Sequence, residues 1–336
     1  MANGTWTAAE RLNVQNMVEQ MGMDASIMRQ YRYDPVTFNA LKENQVAMVT
    51  PIEGKEKDDK LTVHWVEHAK DGTMPEDCTT DCDFTGEEAG AYSKEYDLTN
   101  CVSYNFSVKE STFRSSYFGQ EETLAKLFLT ATLEIRKQLN IEAINFLNSN
   151  FFTSNYAPSG WTNDATGITV PAAEFNPSLF SQLVPIGSRN QMRDFLIIGG
   201  LGMHPMTWEA AMQTDAESRN KLGTQKVPYL DIDQLDVTLN TGMPTFLVDP
   251  SAYAIGMKNR YDVGELVDRG YEGKVHYSIP DPVLEGVRYD VSERKSCDTK
   301  HDDIIHYSVE AKVEHFISPS SVRDTSNTGI IKLLKG

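Results

Sequence analysis

The chain has 336 residues, with 31 Lys and Arg against 48 Asp and Glu, a formal net charge of −17. That excess argues against tight binding to a phosphate backbone, which depends on Lys and Arg displacing counterions, and against an anionic membrane surface. Apolar residues at 40% and charged residues at 24% exclude wholesale disorder, and no apolar run approaches the ~18 residues needed to cross a bilayer.

The opening MANGTWTAAERL has neither the basic start nor the apolar run of a secretory signal. The four cysteines, Cys78, Cys82, Cys101 and Cys297, are therefore expected as reduced thiols.

Residues 7–21 predict a short helix. Thr7 and Glu10 are spaced as a capping box, Leu12, Val14, Met17, Val18 and Met21 form a stripe, and Gly22 is placed as its stop. A weaker stripe, Ile27, Met28 and Tyr31, ends before Pro35.

Residues 51–110 hold fifteen acidic residues against six basic ones, a balance of −9. Leu61, Val63 and Trp65 alternate, as do Val102, Tyr104, Phe106 and Val108. The expectation is two strands of a hairpin flanking a long polar excursion, which must pack on something else to be stable.

Residues 120–149 predict the longest helix. Leu124, Leu127, Phe128, Ala131, Ile135, Leu139, Ala143 and Leu147 recur at three- and four-residue steps, without an internal Gly or Pro. Glu121 and Glu122 sit at its positive end. Residues 153–192 read as loops with short elements.

Residues 190–280 have the texture of a compact α/β unit. Phe195–Ile198 reads as a buried strand, Thr207 to Lys221 as a helix, and Val237, Leu239 and Thr245–Val248 as strands. Asp249–Pro250 reads as the cap of a short helix over Ser251–Met257. Val287, Tyr289 and Val291 alternate. So do Ile305, Tyr307, Val309, Ala311, Val313, His315 and Ile317, giving one long half-buried strand. Residues 318–336 read as a turn and a tail.

Catalytic signatures are sparse. Gly199–Gly202 follows a strand but fails the G-x-G-x-x-G spacing, so a tight turn is expected. Ser292 to Lys295 matches S-x-x-K without its companion motifs. Cys78, Cys82 and Cys101 with His64 or His68 have zinc-type ligands at irregular spacing. Asp231, Asp233 and Asp236 suit a divalent cation, but a solvated acidic face is the plainer expectation. His204, His276, His301 and His306 are scattered, and His301, Asp302 and His306 lack a neighbouring nucleophile. His315 is expected to be a satisfied core histidine. No catalytic, cofactor-binding or metal residue is assigned, no cofactor is expected, and the chain is not read as an enzyme.

The order of segments resembles the major capsid proteins of tailed bacteriophages with the Hong Kong 97 (HK-97) fold. Local texture agrees at Ile141–Asn148, Thr245–Tyr253 and Val287–Val291. The resemblance implies an α+β fold with an N-terminal arm (1–50), an extended hairpin or E-loop (51–112), and a peripheral P-domain (113–189) built on a spine helix at 120–149. It further implies an axial, central α/β A-domain (190–280), closing P-domain strands (281–323) and a C-terminal tail (324–336).

It also implies self-assembly through hexamers and pentamers into an icosahedral virion head, formed in the host cytoplasm and enclosing double-stranded DNA without sequence-specific binding. Scaffolding, portal and minor capsid or decoration proteins are the implied partners, with no membrane. Only about 50 residues precede the E-loop candidate, so a fused scaffolding domain is not expected. The lysine–asparagine cross-link of some members finds no matching pair. Two alternatives stand beside this reading: an encapsulin-like compartment shell, and a metal- or nucleotide-dependent α/β enzyme built around 190–280.

Overall fold

A computed structural model of the chain describes residues 8–31, 33–51, 59–66, 91–109, 120–192, 194–207, 228–259, 274–284, 286–297, 303–319 and 327–336. The architecture is mixed α+β.

Three helices open it: α1 (Ala8–Met23), α2 (Ala25–Tyr31) and α3 (Val36–Asn44). Asp24 starts α2, its carboxylate accepting from the Ser26 backbone N–H at 2.8 Å. Gly22 does not stop α1, which runs one residue further. Its role is contact: a Cβ there would lie 2.6 Å from the Cβ of Pro282. Thr7 of the expected capping box lies outside the described residues.

The long helix is α4, Gln120–Asn150. Its 31 residues extend about 46 Å at 1.5 Å per residue. Leu124, Phe128, Ala131, Ile135 and Leu139 are buried as expected, and so is a second stripe of Ala125, Leu129, Thr132, Arg136 and Asn140. The helix is wide-faced because it packs on α1 and α3 as well as on strands.

Fourteen strands are described. Among the described residues they form three sheets. The first is antiparallel: β1 (Met48–Pro51), β2 (Lys60–Val66) and β3 (Ala91–Asp97). The second is built on β13 (Asp303–Ile317), which pairs with β12 (Arg288–Cys297), β4 (Cys101–Lys109) and β10 (Tyr253–Lys258); β11 (Lys274–Pro280) completes it beside β12. The third has the order β5 (Thr162–Asp164), β6 (Gly167–Val170), β14 (Ile330–Lys335), β9 (Thr245–Val248), β7 (Leu196–Gly199), β8 (Tyr229–Leu230). Between β6 and β7 lies α5 (Leu179–Arg189).

The core falls into three clusters, the first of which also takes Ile198, Phe246 and Val248 from one face of the third sheet. Helices α1, α3 and α4 bury Phe128, Ile135 and Leu139 with Tyr277, Tyr289 and Tyr307 of the second sheet. Ile168, Leu183, Ile197, Leu247 and Ile331 form the core of the third sheet and α5. The first sheet is pinned by Leu61, Val63 and Trp65 against Leu98, Ala254 and Phe316. Gly256 lets it approach β10 closely, since a Cβ there would stand 2.7 Å from Leu61 Cδ1.

Several expectations need correction. The strands at 60–66 and 101–109 are not partners. β2 pairs with β3, while β4 crosses to β13. The sequence concealed β3 because Tyr92, Ser93, Lys94 and Glu95 are all exposed and give no alternation. Asp249 does cap a turn, accepting from the Ser251 N–H at 2.9 Å, but the turn is only Pro250–Ala252. Tyr253 onward is drawn into strand by the register against Ile317, Phe316 and His315.

Val237 and Leu239 lie in a short helix, α6 (Leu235–Leu239), closed by Asn240 in the left-handed region at φ 46°. Thus 190–280 is not one α/β unit, because β10 and β11 belong to the second sheet. Residues 330–335 are no tail. Ile330, Ile331 and Leu333 are fully buried in the middle of the third sheet. The helix expected from Thr207 to Lys221 lies outside the described residues beyond Thr207.

Candidate functional site

Among the described residues, three buried polar ties hold the elements in place. Arg136, inside the apolar stripe of α4, donates from Nη1 to Asp281 Oδ1 at 2.9 Å and from Nη2 to the Tyr31 carbonyl at 2.6 Å. Asp281 also accepts from the N–H groups of Val283 and Leu284, both at 2.7 Å, and from the Tyr289 hydroxyl at 2.6 Å. Burial, reinforced by Asp281, pushes the Tyr289 hydroxyl pKa well up, so it stays a donor.

Four residues on, Asn140 donates to Asp231 Oδ2 at 2.7 Å and to the Tyr33 hydroxyl at 2.9 Å, and accepts from the Phe38 N–H at 3.1 Å. Thr37 donates to the same Asp231 oxygen at 2.6 Å. The third tie is Arg11 to Glu293, bidentate at 3.0 and 3.2 Å. The helical spacing of Arg136 and Asn140 within an apolar stripe was the available sequence signal. Asp281 and Glu293 carried none.

The candidates that the sequence singles out scatter. The Gly199–Gly202 loop cradles no ligand: the Leu201 N–H donates to Asp236 Oδ2 at 2.5 Å, and a Cβ on Gly200 would meet that same oxygen at 2.3 Å. A carboxylate already occupies the place an anion would need. Ser292 and Lys295 lie three apart on one strand, so the pleat turns them to opposite faces and makes no Ser–Lys pair.

Of the zinc-type residues, Cys78, Cys82 and His68 lie outside the described residues. Cys101 is on β4 and His64 on β2, in different sheets. Asp231 is buried in the tie above and Asp236 faces the Gly200 turn, so of the three aspartates Asp233 alone is exposed to solvent. Among the described residues, no three His, Cys, Asp or Glu groups converge as metal ligands. His204 is exposed, and His301 and Asp302 lie outside the described residues.

His315 departs from expectation. Its ring stacks on Phe146 (centroids 5.1 Å apart) and meets Phe38 edge-on at 6.5 Å, but Nε2 is buried without a hydrogen-bond partner. Burial lowers its pKa to about 4, against a small opposing pull from Glu314.

Three of the other described histidines bridge strands. His64, on the middle strand of the first sheet, hydrogen-bonds with Ser93 at 2.7 Å and Thr50 at 3.0 Å. His306, on β13, does the same with Ser107 of β4 and Ser296 of β12, both at 2.7 Å. His276 reaches Ser292 at 2.9 Å.

The second sheet thus carries an ordered polar face. One row runs His276, Ser292, Ser308, Asn105 across four strands, and Arg294, His306 and Ser107 form the next. An open groove of about 320 Å³ lies along these rows.

No protein-family model matches the chain, and no curated protein does. Solved structures similar to it include one from Mycobacterium phage Che8, 11% identical over 88% of this chain and 90% of that one, TM-score 0.41. The capsid of cyanophage P-SCSP1u is 8% identical, covering 85% of each chain, TM-score 0.41. The SrpI encapsulin of Synechococcus elongatus PCC 7942 is 13% identical over 85% of this chain and 83% of that one, TM-score 0.37.

Proposed function

We propose that this chain is a phage major capsid protein of the HK-97 type, a shell subunit that acts by assembly rather than by catalysis. The observation that carries the reading is the relation of α4 to what precedes it. A 31-residue helix, buried along its length, follows a three-stranded sheet whose β2 and β3 are joined by residues 67–90. That connection holds eight acidic residues and one lysine, a composition that cannot bury much apolar surface alone. A rigid spine and an extension suited to neighbours are what a shell subunit needs.

In this reading residues 1–50 are the arm, 51–112 the E-loop, 113–189 and 281–323 the P-domain, and 190–280 the A-domain, except that β10 and β11 join the sheet of the P-domain strands and β14 enters the third sheet as a central strand. Hexamers and pentamers close into an icosahedral head in the host cytoplasm. The head encloses double-stranded DNA, and the charge of −17 keeps that polyanion from adhering to the wall. Scaffolding, portal and minor capsid or decoration proteins are the partners this reading implies.

Light scattering and negative-stain electron microscopy of the purified chain test this. Shells, tubes or six-fold rings are expected. A small discrete oligomer under every condition, with neighbouring phage genes co-expressed or not, would overturn it. Particles loaded with an enzyme instead of DNA would indicate a compartment shell.

A further inference from the structure

The groove on the polar face of the second sheet holds donors that lack acceptors. Arg294 and Asn105 line it and are exposed, and among the described residues neither side chain has an ion pair or hydrogen bond. The register sets Arg294 between His306 of β13 and Lys274 of β11. Like charges directly opposite one another weaken a sheet, so two cationic residues paired across strands favour an anion beside them. The carboxylate that borders the groove, Glu293, cannot serve, because Arg11 engages both its oxygens.

The imidazole adds another donor. A neutral His306 accepts at one nitrogen and donates at the other, to Ser107 and Ser296 in one order or the reverse. The hydroxyl that accepts from it keeps its own hydrogen for an outside acceptor. Arg294, His306 and Ser107 thus make one row, and Ser292, Ser308 and Asn105 the next, about 7 Å along the strands. One tetrahedral oxyanion closes such a gap with hydrogen bonds from opposite oxygens. Ser308 itself donates to Glu310 at 2.8 Å, which marks the acidic border of the groove on the far side.

We propose that this groove binds inorganic phosphate, with Arg294 as its charge-assisted donor and Asn105 and Ser107 completing the contact. A dianion matches two neighbouring cationic positions. A nucleic-acid backbone needs cations at many successive phosphates, and the chain's charge of −17 repels a polyanion. The inference is independent of whether the chain forms shells.

Phosphorus-31 line broadening of inorganic phosphate, titrated with the purified full chain at fixed ionic strength in chloride, tests this. Saturable broadening is expected. Arg294→Gln should weaken binding about tenfold, as the loss of a charge-assisted hydrogen bond does. Asn105→Ala with Ser107→Ala should weaken it as well. Lys60→Gln, which removes an exposed cation of the first sheet, should leave it unchanged. Circular dichroism and thermal unfolding confirm that each variant is folded, and each substitution lies on the surface. Absence of saturable broadening overturns the proposal. So does an equal loss in Lys60→Gln and Arg294→Gln, which would make the effect one of net charge. Duplex DNA without terminal phosphates should not displace the ion; displacement would make the groove a nucleic-acid contact and overturn the assignment.

Discussion

The Arg136 guanidinium lies 2.9 Å from the Asp281 carboxylate, and neither side chain has any exposure to solvent. The pair joins the middle of α4 to the turn that leads into β12. Removing one partner strands a buried charge, at a cost of about 3–5 kcal/mol. Arg136→Leu should therefore lower the melting temperature strongly. Asp281→Ala should be at least as damaging, because it also orphans two backbone N–H groups and the Tyr289 hydroxyl. Thermal denaturation of both variants and the double variant measures the coupling.

His315 predicts an acid-sensitive fold. Its pKa is about 4 when folded against an ordinary 6.5, so between those values the unfolded chain binds the extra proton. Stability is full above pH 6.5, falls with acidification and stops falling from this source below about 4. The loss is at most about 3 kcal/mol. His315→Phe, which keeps an aromatic ring against Phe38 and Phe146, should flatten denaturant midpoints across that window. An unchanged slope would remove His315 as the source.

Gly22 gives a prediction of sign. Within a helix, Gly→Ala normally stabilises by about 0.5–1 kcal/mol. Here the new methyl would stand 2.6 Å from the Pro282 Cβ. Gly22→Ala should therefore destabilise by about 1–3 kcal/mol, in the range of overpacked sites. Urea unfolding decides between the two.

Deleting residues 330–336 should leave the third sheet without its central strand. β6 would lose its parallel partner and β9 one of its two neighbours. The truncated chain should be insoluble, or bind a hydrophobic dye where the full chain does not.

The sequence was legible where periodicity is strong. α4 and β13 stand almost at their expected bounds, because an uninterrupted stripe and a long alternation each admit one geometry. Leu61, Val63 and Trp65 were recognisable as a strand, but their partner was not, since pairing depends on distant residues. β3 is polar on the surface and β14 is four apolar residues broken by a lysine, too short for a period to register. At the candidate site, Arg136 and Asn140 interrupt an apolar helix face, a signal that the periodicity reading passed over. The groove on the second sheet left no signal, because it is composed of single residues from four strands that only the register brings side by side.

The place of β14 has a consequence for biosynthesis. It lies between β6 and β9, some 160 and 80 residues downstream of them in sequence. The third sheet therefore cannot close on the nascent chain until residues 330–335 have left the ribosome. If the chain is the shell subunit proposed above, a neighbour that recognises the finished sheet would ignore unfinished chains.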